Sequence, residues 1–329
     1  MGSGNELTTC HFNNGKADDM FKKTERFSLT KGYASLRPKT RDTIAGYGFL
    51  SLYIIGLLVF TAYPFITSFY YSLTDYNTLY DANFIGFQNY IKMFTEDKRF
   101  WVSFWVTAKF SLIGVPLKLV FSLLVAVILS KKTKLTNFYR SVFYVPSLLG
   151  GGVAVAITWK QLWEVDGVFN HLIGLLGIPP HDWLTDPNTA LSILILLGMW
   201  AFGSQMLVFL AAINEVPVEL HEAAILDGAN SVQRFFKITL PMITPSLFFN
   251  LINGIIGSLQ AFNSAYLITG GQPLNSTLFY GLYQYRQGFT YHNMGYAAAM
   301  AWFLLLVIVA LTAITFKSSS TWVYYQGED

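Results

Sequence analysis

Residues 221–228 read HEAAILDG, and the fold turns on how this octet is taken. A helical His-Glu pair can open the zinc-protease motif H-E-x-x-H, in which two imidazoles one turn apart hold the metal and the glutamate acts as base. The fifth position here is Ile225, so the second imidazole is missing. The octet is then an ordinary helix or part of a different pattern, and its surroundings decide between them.

The chain has 329 residues, of which 53% are hydrophobic, 17% aromatic and only 12% charged. Soluble domains carry roughly 25% charged residues, so the composition points to a membrane protein and away from a nucleic-acid partner. Cys10 is the one cysteine and has only His11 beside it, which permits neither an internal disulfide nor a cysteine-based metal site. Residues 1–43 are polar and mixed in charge, without the apolar run of a signal peptide, and read as a cytoplasmic tail.

Uncharged apolar stretches long enough to cross about 30 Å of hydrocarbon fall at 44–63, 104–129, 141–159, 189–213, 246–268 and 296–316. Only the second carries charge, Lys109 and Lys118. The expected fold is an all-α polytopic membrane protein with six transmembrane helices over 44–317 and a short tail over 318–329. With the N-terminus inside, fifteen Lys and Arg fall on inner segments and five on outer ones. That bias places both termini in the cytoplasm, together with a loop over 214–244 that contains the octet. The outer segments 70–101 and 160–188 are rich in Tyr, Trp, Asn and Asp, suiting either an interfacial aromatic belt or a face that meets a protein.

Within the loop, Pro217 suits a first helical turn, Glu219 and Glu222 sit where the helix dipole favours negative charge, and Gly228 interrupts the pattern. A second short helix is expected after it, with Ser231 as N-cap and Pro241 at its end. The anchors Glu222, Ala223, Ala224, Gly228, Ile238, Leu240 and Pro241 follow the spacing EAA-x3-G-x9-I-x-L-P. This spacing resembles the cytoplasmic EAA loop of binding-protein-dependent ABC importer permeases. FYRSVFYVPSL at 138–148, WLTDPNTAL at 183–191, FLAAINEVPVELHEAA at 209–224 and ITGGQPLNST at 268–277 are similar to the sugar-importer branch, that of the maltose and glycerol-3-phosphate permeases. The last element reads TGGQP where the family has T-x-GGP.

The resemblance implies a type I ABC importer permease fold in a bacterial cytoplasmic (inner) membrane. It implies a second, similar permease subunit, two ATPase subunits and an extracytoplasmic binding protein as partners, with a sugar or oligosaccharide as cargo. ATP and Mg would sit on the ATPases, this chain holding no cofactor and being a transport subunit rather than an enzyme. In accord with that, the sequence has no G-x-x-x-x-G-K-[ST] loop to cradle a nucleotide. Small Ala223 and Ala224 let a helix lie deep in a partner's groove, and Glu222 offers that partner a carboxylate. Gly228 is either a bend that passes on ATPase closure or a plain C-terminal cap.

Polar residues inside the spans mark the candidate path. In the fifth span Asn250, Asn253, Gly257, Gln260 and Ser264 recur on one helical face, as do Thr107, Ser111, Gly114, Lys118 and Ser122 in the second. Such stripes line a wet cavity or glue helices together. Asn263 and Tyr266, with Phe262, stand at the outer end of the fifth span, where they can meet a sugar ring or simply pack. Lys118 is open to three roles: counter-charge to an acidic substrate such as a uronate or a sugar phosphate, pairing with a partner, or snorkelling. An ion-coupled secondary transporter is the rival reading, weakened by the lack of a carboxylate within the spans.

Overall fold

A computed structural model describes residues 38–131 and 135–324. Cys10, most of the expected tail over 1–43, and Lys132 and Lys134 lie outside the described residues. Two compact units divide between Ile66 and Thr67. The first holds helix α1 (Pro38–Leu57) and a wide π-type turn, Leu58–Ala62. None of its described side chains is buried, and Phe49, Leu52 and Phe60 are each at least 80% exposed. A helix apolar all round is stable in hydrocarbon rather than water.

Among its described residues the regular structure of the second unit is helical, apart from two isolated bridges, Thr74 with Phe84 and Asn77 with Tyr80. It begins within α2 (Tyr63–Ser72) and continues through α3 (Gln88–Thr95), α4 (Lys98–Ser130), α5 (Thr136–Leu149), α6 (Val153–Trp163) and α7 (Val168–Gly174). Then follow α8 (Ala190–Trp200), α9 (Gly203–Glu215), α10 (Val218–Leu226), α11 (Ser231–Arg234), α12 (Leu240–Met242), α13 (Thr244–Leu259), α14 (Tyr280–Tyr285) and α15 (Met294–Ser319). Three helical runs, Gly46–Ser72, Lys98–Ser130 and Met294–Ser319, are each long and apolar enough to cross a bilayer. Three bent helix pairs bring the number of spans to as many as six.

The six expected spans correspond to these three runs and three bent pairs. The third span breaks at Gly150-Gly151-Gly152, where the run through α5 and the run beginning at α6 meet at 98°. Glycine is the weakest helix former after proline, and three in succession leave no local preference to hold the axis straight. The fourth span, α8 and α9, bends by 45°. In the fifth, α13 ends at Leu259 after 16 residues. At 1.5 Å per residue it is about 24 Å long, shorter than the hydrocarbon layer. The expected stretch 246–268 is therefore completed by non-helical residues and a π-type turn, Ala265–Thr269.

The core has two parts. A large cluster centres on Phe100, Leu194, Phe279, Tyr280 and Met300, and a smaller one on Leu119, Ala126, Phe202, Met206 and Phe209. Polar bonds fix the end of the large cluster. Asp97 caps α4, its Oδ1 accepting from the N–H groups of Arg99 and Phe100, while its Oδ2 accepts from the hydroxyls of Tyr283 (2.7 Å) and Tyr296 (2.6 Å). Burial, and then the bond to Asp97, pushes the Tyr283 hydroxyl above the usual tyrosine range and keeps it a donor. The Tyr280 N–H donates to Thr107 Oγ1 at 2.7 Å, and its hydroxyl to the Met300 carbonyl at 2.7 Å.

At the opposite end the expected short tail from 318 packs on the bundle as far as Tyr324. The Tyr324 N–H donates to Thr244 Oγ1 at 2.9 Å, and Trp322 packs edge-on against Phe248. An aromatic pair and a backbone bond hold this segment on the start of α13.

Candidate functional site

The loop over 214–244 forms two short helices, α10 and α11, at one end of the bundle. Pro217 is the N-cap of α10 rather than a residue of its first turn, and Glu219 occupies that turn. Glu222 and Ala223 are exposed and Ala224 half-buried, while Val218, Ile225 and Leu226 present apolar side chains outward, Leu226 at 89% exposure. Gly228 has φ +81°, the left-handed conformation that ends many helices. Beside it the Ala229 N–H donates to the Ala224 carbonyl (2.8 Å) and the Gly228 N–H to that of Ile225 (3.0 Å). This pairing is a Schellman cap, so Gly228 terminates the helix and redirects the chain.

The second helix starts one residue earlier than expected. Asn230, not Ser231, is its N-cap: Asn230 Oδ1 accepts from the Gln233 N–H and Gln233 Oε1 from the Asn230 N–H, each at 2.8 Å. A shorter amide at the cap position with Gln three residues on closes a capping box, which Ser231 could not form with Arg234. Nor does Pro241 end the helix. It stands in the first turn of α12, directly after a π-type turn, Phe235–Thr239, in which the Leu240 N–H reaches back to Phe235. The wide turn loosens the ladder just where proline supplies no N–H. Ile238 lies in that turn and Leu240 opens α12.

A cavity of about 300 Å³ lies among α4, α8, α9 and α13. Its polar lining is Lys118, Gln205, Asn250, Asn253 and Ser258; Phe110, Val115, Leu119 and Ile195 supply apolar wall. Two of the polar groups are unsatisfied by protein. Asn250 is 3% exposed, and its Nδ2 has no hydrogen-bond partner; the same holds for the buried Oε1 of Gln205. Buried amides without partners are uncommon and point to a ligand or water in the site. Asn253 is the exception, its Nδ2 donating to the Phe249 carbonyl one turn back at 2.8 Å. The wall at Gly254 is close-packed, since a Cβ there would lie 2.9 Å from Val115 Cγ1.

The structure thus brings Lys118, Asn250 and Asn253 together and leaves the other path candidates elsewhere. Gln260 is exposed and caps the C-terminus of α13, outside the cavity, and Asn263 is exposed beyond the break. Tyr266 belongs to an aromatic ladder, stacked on Phe262 (5.1 Å, 16°) and meeting Tyr285 edge-on. In the α4 stripe, Thr107 accepts from Tyr280, the Ser111 hydroxyl bonds that of Ser258 at 2.6 Å, and the Ser122 hydroxyl donates to the Lys118 carbonyl. These three residues join helices or bond their own turn, while Gly114 and Lys118 face the cavity. Gln205 and Ser258 belong to neither recurring polar stripe of the sequence. Gln205 is a lone amide in the apolar run WAFGSQMLVF, a signal that a search for recurring stripes passes over.

Bent spans around a part-polar cavity, with an exposed two-helix loop at one end, define a polytopic membrane transport subunit. The chain belongs to the family described as binding-protein-dependent transport system inner membrane component, whose sequence model matches residues 112–318. It is 47% identical over 292 residues to the probable ABC transporter permease protein YesP of Bacillus subtilis (strain 168), covering 88% of this chain and 94% of that one. It is 32% identical over 288 residues to the arabinooligosaccharides transport system permease protein AraP of the same organism, covering 86% and 90%. Among solved structures, a chain of the bacterial alginate ABC transporter, in complex with alginate pentasaccharide-bound periplasmic protein, superposes with a TM-score of 0.74 at 22% identity. The match covers 85% of this chain and 95% of that one. The fold is therefore that of an ABC importer permease, and the ion-coupled reading is set aside.

Proposed function

We propose that this chain forms half of the translocation path of an ATP-driven importer of a sugar or oligosaccharide. The observation that carries the reading is the cavity in which Asn250 Nδ2 and Gln205 Oε1, a donor and an acceptor, are buried without protein partners. A saccharide hydroxyl can accept from one and donate to the other, while its apolar ring face meets Val115, Leu119 and Ile195. The relative AraP, named for arabinooligosaccharides, and the fold shared with an alginate importer support the cargo class.

The other half of the path belongs to a second, homologous permease subunit, and an extracytoplasmic binding protein delivers the solute. Two ATPase subunits bind ATP and Mg, and one of them docks on this loop through Glu222, Ala223 and Ala224, with Gly228 and the Ile238–Pro241 segment setting the angle between the loop helices. Both termini and this loop lie on the cytoplasmic side. The loop's exposed apolar surface on α10 supports such docking, because a face of that kind is stable when a partner covers it.

The test is uptake by proteoliposomes that contain the assembled complex, with the binding protein and labelled oligosaccharides outside and ATP inside. ATP-dependent uptake that falls when Asn250 or Gln205 is replaced supports the reading. Undiminished uptake with both replaced removes the cavity from the path.

A further inference from the structure

Lys118 is half-buried on the cavity wall, twelve residues before the end of α4. At 1.5 Å per residue that is about 18 Å of helix, well beyond what a lysine side chain spans to reach the interface. No carboxylate lines the cavity, and among the described residues Lys118 Nζ has no hydrogen bond or ion pair. An ammonium inside a span is costly and is retained where it has a use. Neutral hydroxyls need only amides, and the cavity already offers those of Gln205, Asn250 and Asn253. A neutral sugar held by these amides would leave the lysine unpaired.

We infer that the cavity is built for an acidic saccharide, whose carboxylate is held by Lys118 Nζ with Asn250 Nδ2 as second donor, while Gln205 Oε1 accepts from a ring hydroxyl. Lysine and an amide N–H together match the two oxygens of a uronate carboxylate, and charge-assisted bonds of this kind are the stronger ones. The apolar wall opposite suits the ring face. Lys118 is then the residue that sets specificity between acidic and neutral sugars. This inference rests on the cavity being the sugar path.

The experiment compares short oligouronates with their neutral methyl esters in proteoliposomes of the complete complex with its binding protein. Each substrate is normalised to wild type, so that selection by the binding protein cancels. Lys118→Gln should lower oligouronate uptake about tenfold to a hundredfold, the effect of losing one charge-assisted bond, and leave ester uptake within about twofold. Lys118→Arg should restore much of the acidic uptake. Gln205→Glu, which leaves Lys118 in place but adds a negative charge to the same wall, should lower uptake of the acidic substrate more than that of the ester, and it serves if Lys118→Gln does not assemble. Equal losses for both substrates would mean that Lys118 pairs with a companion subunit, and would overturn the inference. So would wild-type uptake of oligouronate by Lys118→Gln. A wild-type complex that carries the ester but not the oligouronate overturns the acidic assignment alone, whereas one that carries neither overturns the sugar reading beneath it.

Discussion

The Tyr296 hydroxyl donates to Asp97 Oδ2 at 2.6 Å across 199 residues of sequence, tying the first residue before α4 to the first turn of α15. The same oxygen accepts from Tyr283, whose hydroxyl in turn accepts from Gln287 Nε2 at 2.7 Å. One carboxylate thus caps a spanning helix and gathers two others around its end. Asp97→Ala removes the cap and leaves two tyrosine hydroxyls without an acceptor. It should destabilise the subunit by about 2–4 kcal/mol, combining a lost cap with two unmet hydrogen bonds. Asp97→Asn keeps an acceptor and should lose about half as much. Thermal unfolding of the detergent-purified complex reads both, and equal midpoints for wild type and alanine variant would show that the cluster is held by packing alone.

In the loop between α9 and α13, Gly228 is required by its backbone and not by its surroundings: φ is +81°, yet nothing lies within 4 Å of the position a Cβ would take. Gly228→Ala should therefore cost about 1–2 kcal/mol of left-handed strain. Gly228→Asn should be milder, since asparagine tolerates that conformation. Coupling, read as the ratio of substrate-stimulated to basal ATPase activity, should follow the order Gly, Asn, Ala. If Ala and Asn act alike, side-chain bulk against the ATPase matters more than the cap.

Glu222 is exposed and has no hydrogen bond or ion pair among the described residues. An exposed ion pair is worth under about 1 kcal/mol, but one desolvated in an interface is worth more. If the loop docks an ATPase as proposed, Glu222→Lys turns that attraction into repulsion. We expect normal membrane insertion with a several-fold loss of substrate-stimulated ATPase activity. Wild-type activity in the purified variant would place the docking contact elsewhere on the loop.

What the sequence reveals of this fold follows from how local each signal is. The long runs of α4 and α15 and the spacing from Glu222 to Pro241 are patterns along the chain and are legible directly. The bend at Gly150–Gly152 is written in composition, but a hydropathy window averages glycine into an apolar span. The polar stripe of the fifth span assumes one continuous helix; the break after Leu259 confines it to Asn250, Asn253 and Gly257. Asp97 with its two tyrosines is invisible, because its partners lie 186 and 199 residues away. Gln205 carried a signal, an amide in an apolar run, but its meeting with Asn250 depends on how α9 folds back beside α13.

That meeting sets stability against function. Asn250 is 3% exposed with its Nδ2 unpaired, so the folded subunit bears the desolvation of an amide that no protein group repays. Asn250→Leu keeps the branched shape and removes that penalty. It should leave stability unchanged or raise it by up to about 1–2 kcal/mol, while lowering uptake about tenfold through loss of a substrate donor. Asn253→Leu, also on the cavity wall, should lower uptake without raising stability, because its amide is already bonded to Phe249. Gln260→Leu, outside the cavity, should have the smallest effect of the three. Parallel measurements of unfolding and uptake separate the cases: a destabilised Asn250→Leu with normal uptake would make Asn250 a packing residue, and an uptake loss in Gln260→Leu as large as in Asn250→Leu would extend the path past the end of α13.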